Sequence, residues 1–425
     1  MRAKFIRRLT SDTGEVWLRA DLASVEPTTG RPETITAEGI TGITVPKLTY
    51  AYKEGKYATS LIQTLTESTG NTTTYSYEAL DRLKEAVTEG TNPSLYEFKL
   101  DGAGNRTQQT VNPTAATTIG SETTHYAYNT GDELECRQTV VPPCSKSSTT
   151  ELSAYKYDEA GNETAITPKS DTSGTTFAYN AANELSSLTP SGGTAQALSD
   201  AGTGQDDLVG IGSATTIQNS QLGLTREVSS AGTSYYARTP NGLLIDQRTP
   251  SGNYNPLYDA QGDIIALVSS SGKVERTFRY GPYGENIKSE GTQTIPYPFG
   301  FKSGYRVPGG NTGKGNVANS LIHYGQRYYD PTTGRWTQQD PLWHLGSTTQ
   351  GDRFLFAGAD PVNLSDPHGL FTVQTYVETC GASAVVGTVV GEGPVAGCVE
   401  GAAGLLVIET GERVAEDVED IEEEL

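Results

Sequence analysis

Histidine and cysteine are scarce in this 425-residue chain, which contains four of each. Structural zinc sites need clustered Cys and His ligands, commonly with two cysteines separated by two residues. Here Cys136 and Cys144 lie eight residues apart, and Cys380 and Cys398 lie eighteen apart. We therefore expect no metal site and no cofactor. Each cysteine pair is equally compatible with a local disulfide and with free thiols.

Positive charge is also in short supply. The chain has 31 lysines and arginines against 51 acidic residues, which gives a net charge of −20 and a pI near 4.6. Nucleic acids and anionic membranes are bound through clusters of Lys and Arg. We therefore expect no nucleic-acid partner, and a surface that stays soluble through its own negative charge.

Long apolar runs are missing as well. A membrane helix needs ~20 predominantly apolar residues, whereas the most apolar region near the C-terminus is interrupted by Glu392, Pro394 and Glu400. The basic start, MRAKFIRRLTSDTGEVWL, is followed by no apolar segment, so no signal peptide is recognisable. We expect no stable membrane span, and either export by another route or a chain in which Met1 begins a fragment.

The chain is instead rich in tyrosine, glycine and proline. Low aliphatic content and high net charge would suit a disordered protein, but 23 tyrosines argue against disorder. Tyr and Thr favour half-exposed strands, and 48 glycines with 21 prolines supply many tight turns. The composition predicts an all-β fold built from short strands.

A short pattern recurs along most of the chain: an aromatic residue, any residue, a second aromatic, then Asp/Asn-x-x-Gly-Asn/Asp/Glu and alternating apolar residues. Residues 187–232 and 304–320 interrupt it. The second aromatic positions are Tyr77, Phe98, Tyr128, Tyr157, Tyr179, Tyr236, Tyr258 and Tyr280.

Each copy predicts a strand, a turn and a returning strand. The two aromatic rings fall on one face of the first strand, because side chains alternate with period two. Asp or Asn can accept bonds from its own backbone, and Gly adopts positive φ without steric cost. Calcium loops need a different spacing of oxygen ligands, so a turn is the better interpretation. A single hairpin cannot bury its own face, and the copies must therefore stack into one sheet.

These repeats resemble a known family. YKYDEAGNET from Tyr155 and YDAQGDIIALV from Tyr258 are similar to the YD repeats of the Rhs family. That family includes polymorphic bacterial toxins, the C component of insecticidal toxin complexes, wall-associated proteins and teneurins. The resemblance covers about residues 70–370. It implies a β-hairpin strip that spirals into a hollow shell, complete or partial, around a payload.

The same resemblance divides the chain into four parts. Residues 1–69 form an N-terminal β segment that can continue the strip, and residues 70–300 form the YD-repeat shell. Residues 301–370 resemble the Rhs core-associated domain. Residues 371–425 form a variable segment, rich in Gly, Ala and Val and then acidic, for which we expect a short helical or disordered tail.

The third part contains the most specific motifs, RYYDPTTGRW from Arg327 and NLSDPHGL from Asn363. In toxin relatives this cassette is an aspartyl autoprotease that cuts after the Leu of the DPxGL end motif. The resemblance therefore implies cleavage between Leu370 and Phe371. The end motif is carried by Asp366, Pro367 and Gly369.

The implied catalytic pair is Asp340 and Asp352. Two close carboxyl groups cannot both ionise, so one keeps a proton while the other activates water. Relatives commonly have an arginine directly before the first aspartate, where this chain has Gln339. The sequence leaves Arg335 or Arg353 as the supporting arginine.

A structural interpretation of the same acids stands beside the catalytic one. Asp340, Asp360 and Asp366 precede prolines and are typical of Asp-Pro turns, and we expect Asp330 to form such a turn. His344 has no recognisable nucleophile in its context. It is expected to line the shell or the surface.

Two functions follow from these expectations. The first is a shell protein of a bacterial polymorphic-toxin system, which encapsulates and presents its own C-terminal segment and releases it by self-cleavage. Its further partners would be a secretion apparatus and an immunity protein. The alternative is a non-cleaving extracellular adhesion protein whose exposed tyrosines bind cell-surface glycans. Both place the chain outside the bacterial cell or on its surface, and neither is a metabolic enzyme.

Overall fold

The computed structural model describes residues 4–11, 14–25, 31–38, 40–54, 57–113, 122–144, 151–169, 174–201, 207–239, 242–292, 295, 297–311, 320–342, 351–370, 373–374, 378–380 and 383–385. The N-terminal strands are β1 (Lys4–Ser11), β2 (Gly14–Val25), β3 (Pro32–Glu38), β4 (Thr41–Gly42), β5 (Leu48–Ala51), β6 (Lys53–Glu54), β7 (Tyr57–Ala58) and β8 (Thr64–Glu67).

The repeat strands follow one another with short turns. They are β9 (Thr72–Tyr77), β10 (Leu83–Glu89), β11 (Ser94–Leu100), β12 (Arg106–Pro113), β13 (Glu122–Tyr128), β14 (Leu134–Gln138), β15 (Glu151–Tyr157), β16 (Glu163–Pro168), β17 (Thr175–Tyr179), β18 (Leu185–Thr189), β19 (Gln196–Ala201), β20 (Asp207–Ile211), β21 (Thr215–Ser220), β22 (Gly223–Ser229), β23 (Gly232–Arg238), β24 (Leu244–Thr249), β25 (Gly252–Tyr258), β26 (Ile264–Ser269), β27 (Lys273–Tyr280) and β28 (Asn286–Gly291).

The C-terminal part has shorter strands and two 3-10 helices, at Phe301–Ser303 and Ala357–Ala359. Its strands are β29 (Tyr305–Asn311), β30 (Ser320–Tyr324), β31 (Arg327–Asp330), β32 (Arg335–Trp336), β33 (Leu364–Ser365), β34 (Val373–Gln374), β35 (Glu378–Cys380) and β36 (Ser383–Val385).

One sheet of 26 strands dominates the described part of the chain, and the prediction of an all-β hairpin strip is confirmed. Strands β1, β2, β3, β5 and β8 to β28 follow one another across the sheet as antiparallel neighbours. Strand β4 leaves this order and pairs in parallel with β27, through Thr41 and Gly42. The strands before the repeats thereby contact the last repeats without closing the strip into a continuous ladder.

The period-two pattern places the paired aromatics on the inner face, as predicted. In β11, Tyr96 and Phe98 are both buried, and their rings lie 6.4 Å apart. Lys99, between Phe98 and the end of the strand, is exposed on the other face. Alternation along the strand therefore separates a buried aromatic face from a polar one.

The second tyrosine of a repeat joins neighbouring hairpins. Its hydroxyl donates a hydrogen bond to a backbone carbonyl of an earlier hairpin, near the start of a returning strand. The pairs are Tyr77 to Ile62 at 2.6 Å, Tyr128 to Arg106 at 2.9 Å, Tyr258 to Leu244 at 2.7 Å and Tyr280 to Ile264 at 3.2 Å. This bond gives a physical reason for tyrosine at a position where phenylalanine would fill the same volume.

The sheet continues through residues 187–232, where the sequence pattern is interrupted. Strands β18 to β23 pair in order, and Leu198, Leu208, Ile217 and Leu224 are buried on the inner face. Burial of one face needs only apolar residues at alternate positions. Aliphatic side chains replace the aromatics there, and the sheet is unbroken between β18 and β23 apart from residues 202–206, which lie outside the described part.

The residues after the repeats pack against the inner face of the strip. Val307 and Leu321 belong to one buried cluster with Leu188 and Leu244 of the repeats. A second, aromatic cluster contains Phe301, Tyr324, Tyr329, Trp336 and Phe356. Residues 301–370, which we call the end cassette, therefore share a hydrophobic core with the repeats.

Cys136 and Cys144 form a disulfide that fastens the end of β14 to the following turn, which decides between the two alternatives for this pair. In the described part of residues 371–425, β34 pairs with β33 of the end cassette, and β35 pairs with β36. Residues 386–425 lie outside the described residues, as do Cys398 and most of the expected helical or disordered tail.

No helix in the described part of the chain is long and apolar enough to cross a membrane.

Candidate functional site

The repeat turns have one geometry that their sequence explains. In the turn after β11, Oδ1 of Asp101 accepts bonds from the backbone N–H groups of Ala103, Gly104 and Asn105, each near 3 Å. Gly104 has φ +103°, a conformation that glycine adopts without strain. Asp158 and Asp259 accept the corresponding bonds in their turns. The Asp-x-x-Gly-Asn pattern is therefore a self-capped turn, as predicted.

Neighbouring turns are joined through the asparagine. Asn105 Nδ2 donates to Asp132 Oδ1 at 2.7 Å, and Asn162 Nδ2 donates to Asn183 Oδ1 at 3.0 Å. Each bond connects consecutive repeats. The turns consequently form a polar edge along one side of the strip, which we call the turn edge.

The end cassette lies directly on the turn edge. Arg335 donates from Nη1 to Asn105 Oδ1 and from Nη2 to the backbone oxygen of Asp132, both at 2.6 Å. Two residues further on, the Thr337 carbonyl accepts a bond from the N–H of Glu163 at 2.8 Å. The segment after β32 therefore runs along successive repeat turns.

Gln339 is placed by one of these turns. A Cβ atom at Gly161, whose φ is +79°, would lie 2.3 Å from Gln339 Nε2. Gln339 Oε1 in turn accepts a bond from Arg353 Nη1 at 2.5 Å. The residue that departs from the family pattern is thus held between a repeat turn and an arginine.

Asp352, the second predicted catalytic acid, lies in a buried ion pair. Its Oδ2 is 3.0 Å from Arg335 Nη1 and its Oδ1 is 3.3 Å from Arg335 Nη2. The N–H of Phe354 donates to the same carboxylate at 2.9 Å. Burial raises the pKa of Asp352, while the Arg335 charge and the Phe354 N–H oppose that rise.

Asp340, the first predicted acid, lies on an adjacent stretch of backbone. Its N–H donates to the Arg353 carbonyl at 2.8 Å, and Arg353 Nε donates back to the Asp340 carbonyl at 2.8 Å. The chain therefore returns as the pairing of Asp340 with Asp352 requires. The two carboxylates contact different arginines, however. Asp340 Oδ2 lies 2.8 Å from Arg327 Nη2, whereas Asp352 pairs with Arg335.

Arg327 also binds the end motif. Its Nη2 lies 3.1 Å from Asp366 Oδ2, and its Nε donates to the Gly369 carbonyl. Asp366 Oδ1 accepts a bond from the Leu370 N–H at 2.9 Å. The chain immediately before the expected cleavage position is therefore fixed beside Asp340.

Gly369 makes this close approach feasible. It has φ +67°, and a Cβ atom there would lie 2.5 Å from the Tyr324 carbonyl and 3.0 Å from the Arg327 nitrogen. A side chain would force the end motif away from β31. The glycine of the DPxGL pattern is thus required by the packing of the chain end.

Sequence reasoning missed Arg327 as a member of the site. It considered Arg335 and Arg353, which contact the Asp352 carboxylate and the Asp340 backbone respectively. The signal was present, since Arg327 begins the RYYDP motif, but its partners Asp340 and Asp366 lie 13 and 39 residues further along the chain. Phe371 and His344 lie outside the described residues.

Residues 227–360 match the family model of the Teneurin YD-shell. A structure of the Tc holotoxin pore of Photorhabdus luminescens has the same fold, with a TM-score of 0.50 and 16% identity over 90% of this chain. Over the matched residues the chain is similar to proteins of the Rhs/YD-repeat family. This confirms the resemblance seen in the repeats and in the cassette motifs.

Two curated relatives extend the comparison. Salivary gland surface protein 1 of Aedes aegypti is 31% identical over 37% of the chain, and the tRNA3(Ser)-specific nuclease WapA of Bacillus spizizenii is 24% identical over 69% of it. The chain spans 4% and 12% of those relatives, and 19% of the holotoxin chain.

Proposed function

We propose that this YD-repeat protein is a shell module of a bacterial polymorphic-toxin system that presents the segment after Leu370 and releases it by aspartyl self-cleavage. The observation that carries the proposal is the contact of the end motif with Asp340 through Arg327. This contact brings a second carboxylate to the expected cut, as hydrolysis by a pair of aspartates requires. The nuclease and holotoxin relatives support the toxin context.

The chemistry is hydrolysis of one peptide bond. A water oxygen attacks the carbonyl carbon of Leu370, and the ionised carboxylate of Asp340, paired with Arg327, accepts a proton from that water. The bond to the Phe371 nitrogen then breaks as a protonated acid donates a proton to the leaving amine. The products are a carboxylate at Leu370 and a free amine at Phe371.

Asp352 is the proposed proton donor. Burial raises its pKa, which favours the neutral acid that this role requires. Its segment lies beside Asp340 through the backbone contact of Asp340 with Arg353. Proton transfer from Asp352 requires its carboxyl group to leave Arg335 or to act through a bridging water.

Enclosure of the C-terminal segment is the second part of the proposal. The described residues line an open cavity of about 290 Å³ between β8–β11 and β26–β28. That volume suits a small molecule, whereas residues 371–425 comprise 55 residues. We propose that further strands, from a partner component or another part of the assembly, complete a shell around them, and that the secretion and immunity partners belong to that context.

The glycan-binding alternative has little basis in the fold. It requires exposed tyrosines, but Tyr96, Tyr126, Tyr236 and Tyr254 are all buried. Among the residues whose side chains the structure describes, the exposed tyrosine is Tyr235, at 51%, and one exposed ring makes a poor platform for a sugar chain. The tyrosines instead fill the space between neighbouring hairpins.

The test follows the fragment that ends at Leu370 by intact-mass measurement in the wild type and in Asp340→Asn, Asp352→Asn and the control Asp246→Asn. Asp246 pairs with the exposed Arg248 on the repeats. We expect the fragment in the wild type and the control, and its loss in both site variants. Fragment formation that continues unchanged in Asp340→Asn would rule out the proposed mechanism.

A further inference from the structure

The turn between β25 and β26 differs from other repeat turns in the residues at its two ends. In four turns the first and fifth residues are an amide and a carboxylate, and the amide donates a hydrogen bond to the carboxylate. The pairs are Asn105 to Asp101 at 3.1 Å, Asn129 to Glu133 at 2.6 Å, Asn162 to Asp158 at 3.0 Å and Asn180 to Glu184 at 2.5 Å. In the turn after β25 these places are taken by Asp259 and Asp263, so both ends carry carboxyl groups.

The two carboxyl groups lack the donor that the amide supplies in the other turns. Asp259 Oδ1 accepts the N–H groups of Gln261 and Asp263, both at 2.9 Å, and Asp263 Oδ1 accepts the Lys302 N–H at 2.8 Å. Among the described residues, no donor is found for either Oδ2 atom. Asp259 and Asp263 are 7% and 8% exposed. Because an ionised carboxylate is costly to bury without a partner, this turn calls for a cation or a proton.

Both carboxyl groups line the open cavity between β8–β11 and β26–β28. The other charged side chains of the lining form two ion pairs, Arg279 with Glu67 at 2.7 Å and Lys288 with Glu290 at 2.5 Å. Asp259 has no ion pair among the described residues, and neither has Asp263. The charge that the cavity offers to a ligand is therefore negative.

Three further charged groups act on this turn. Lys302 Nζ donates to the Gln261 carbonyl at 2.9 Å. Burial raises the pKa of Asp263, and the Lys302 and Arg306 charges oppose that rise. Burial lowers the pKa of Lys302, and the Asp360 charge is among those that oppose it. Two cations thus face three carboxyl groups, and one negative charge is left unbalanced when all of them are ionised.

The cavity also contains an unpaired hydroxyl group. Tyr96 lines it and is 3% exposed, and its hydroxyl has no hydrogen-bond partner among the described residues. Buried polar groups are almost always paired. Tyr75 lines the same wall beside the turn, since the Asp259 charge adds to the rise of the Tyr75 pKa that burial causes. Both tyrosines are register partners of Ala86 on the strand between them, so about 10 Å separates them.

We propose that this cavity binds a small aliphatic amine, whose ammonium group bridges Asp259 and Asp263 in place of the amide donor of the other turns. An ammonium group has three donors, enough for both Oδ2 atoms, and aromatic rings such as that of Tyr75 attract it. A second polar end, as in a linear diamine, pairs with the Tyr96 hydroxyl. A metal ion fits less well, since the described residues contain no group of three His, Cys, Asp or Glu side chains that could hold one.

Isothermal titration calorimetry of the full chain with putrescine tests this proposal. The neutral 1,4-butanediol serves as a ligand of similar length, and calcium chloride as an inorganic cation. The variants are Asp259→Asn, Asp263→Asn, Tyr96→Phe and the control Asp246→Asn, whose carboxylate does not line the cavity. Asparagine keeps the Oδ1 acceptor and recreates the amide–carboxylate pair of the other turns, so both turn variants should fold.

We expect the wild type and Asp246→Asn to bind putrescine at millimolar concentrations or below and to bind butanediol far more weakly. Asp259→Asn and Asp263→Asn should each weaken putrescine binding by about tenfold or more, because a hydrogen bond between charged groups is lost. Tyr96→Phe should weaken it by about fivefold, the usual effect of one neutral hydrogen bond. Its melting temperature should not fall, because the hydroxyl has no partner within the described chain.

Four results would overturn the inference. They are no binding of putrescine to the wild type, equal affinity for butanediol, tighter binding of calcium than of putrescine, and unchanged putrescine affinity in both turn variants. The last would indicate unspecific attraction to a chain with a net charge of −20. If the turn variants do not fold, Tyr96→Phe decides, and putrescine affinity equal to that of the wild type then overturns the inference.

Discussion

Arg335 in the end cassette donates a hydrogen bond to Asn105 in a repeat turn at 2.6 Å, although 230 residues separate them. The same guanidinium binds the Asp352 carboxylate. The Asn105 side chain therefore forms hydrogen bonds both within its own turn and with the end cassette. It connects the repeat strip to the acid that we propose as proton donor.

Replacing Arg335 with methionine should strongly destabilise the fold. The change leaves the Asp352 carboxylate buried without its cation, and breaking a buried ion pair on one side commonly costs about 3–5 kcal/mol. Urea denaturation measures the loss. The control is Arg248→Met, since the Arg248 side chain is 69% exposed in its pair with Asp246 and surface pairs contribute about 0–1 kcal/mol. Equal free energies of unfolding for both variants would contradict the proposed coupling.

Two glycine positions allow the cost of backbone strain to be measured apart from the cost of disturbing the contact with the end cassette. Gly161 and Gly192 both have positive φ, near +79° and +66°. A Cβ atom at Gly161 would lie 2.3 Å from Gln339, whereas a Cβ atom at Gly192 would have no other atom within 4 Å. Gly192→Ala should therefore cost about 1 kcal/mol, the strain of an L residue in that conformation. Gly161→Ala should cost more and also displace Gln339.

Thermal unfolding of the two alanine variants provides the comparison. Limited proteolysis between 339 and 352 reports on the displaced segment, and cutting should become faster only in Gly161→Ala. If the two variants are equally stable and equally resistant to proteolysis, the contact between the turn edge and the end cassette does not contribute to stability.

Stability should fall as pH rises towards neutrality, and Asp360 is one cause. Burial raises its pKa to about 7, against hydrogen bonds from Asn363 that lower it. Because the folded pKa exceeds the unfolded value of about 3.9, the contribution is fully present below that unfolded value and is lost as pH rises through about 7. The free energy of unfolding falls by up to about 4 kcal/mol through Asp360, at 1.36 kcal/mol for each pH unit between the two pKa values.

Calorimetry of the wild type and Asp360→Asn from pH 4 to pH 8 tests this dependence. The variant is neutral throughout, so its melting temperature should vary less with pH. Part of the dependence should remain, because burial also raises the pKa of Glu163 and Asp259. A variant whose pH curve coincides with that of the wild type would show that Asp360 does not titrate in this range.

Removing the disulfide should destabilise β14 and the turn that follows it. Cys136 and Cys144 close a loop of eight residues, for which chain-entropy reasoning gives roughly 2–3 kcal/mol. Cys144→Ser should therefore lower the melting temperature, and a reductant should bring the wild type to about the same value. Cross-linked tryptic peptides check the pairing, since Arg137 lies between the two cysteines. Identical melting temperatures of oxidised wild type and variant would contradict the prediction.

Local features were predictable from the sequence because they depend on neighbouring residues. The Tyr96–Phe98 step and the Asp101 turn follow from side-chain alternation and glycine geometry. The contacts that join the site depend on residues far apart in the chain, such as Arg335 with Asn105, and no spacing rule reaches that distance. Arg327 was visible in a motif, but its contacts with Asp340 and Asp366 were found only in the folded structure.

The interrupted region shows a different limit. The aromatic pattern fails between residues 187 and 232, yet the sheet continues, because Leu198 and Ile217 fill the inner face in place of aromatic rings. A motif search for aromatic residues does not detect strands in which aliphatic side chains take their place. The fold requires only that alternate positions be apolar.

N-terminal sequencing of the released segment, after synthesis of the full chain, tests the central claim most directly. The account predicts a new chain that begins Phe371-Thr372-Val373, together with a partner fragment that ends at Leu370. A chain that remains intact from pH 4 to pH 9, or a cut at another bond, would contradict it.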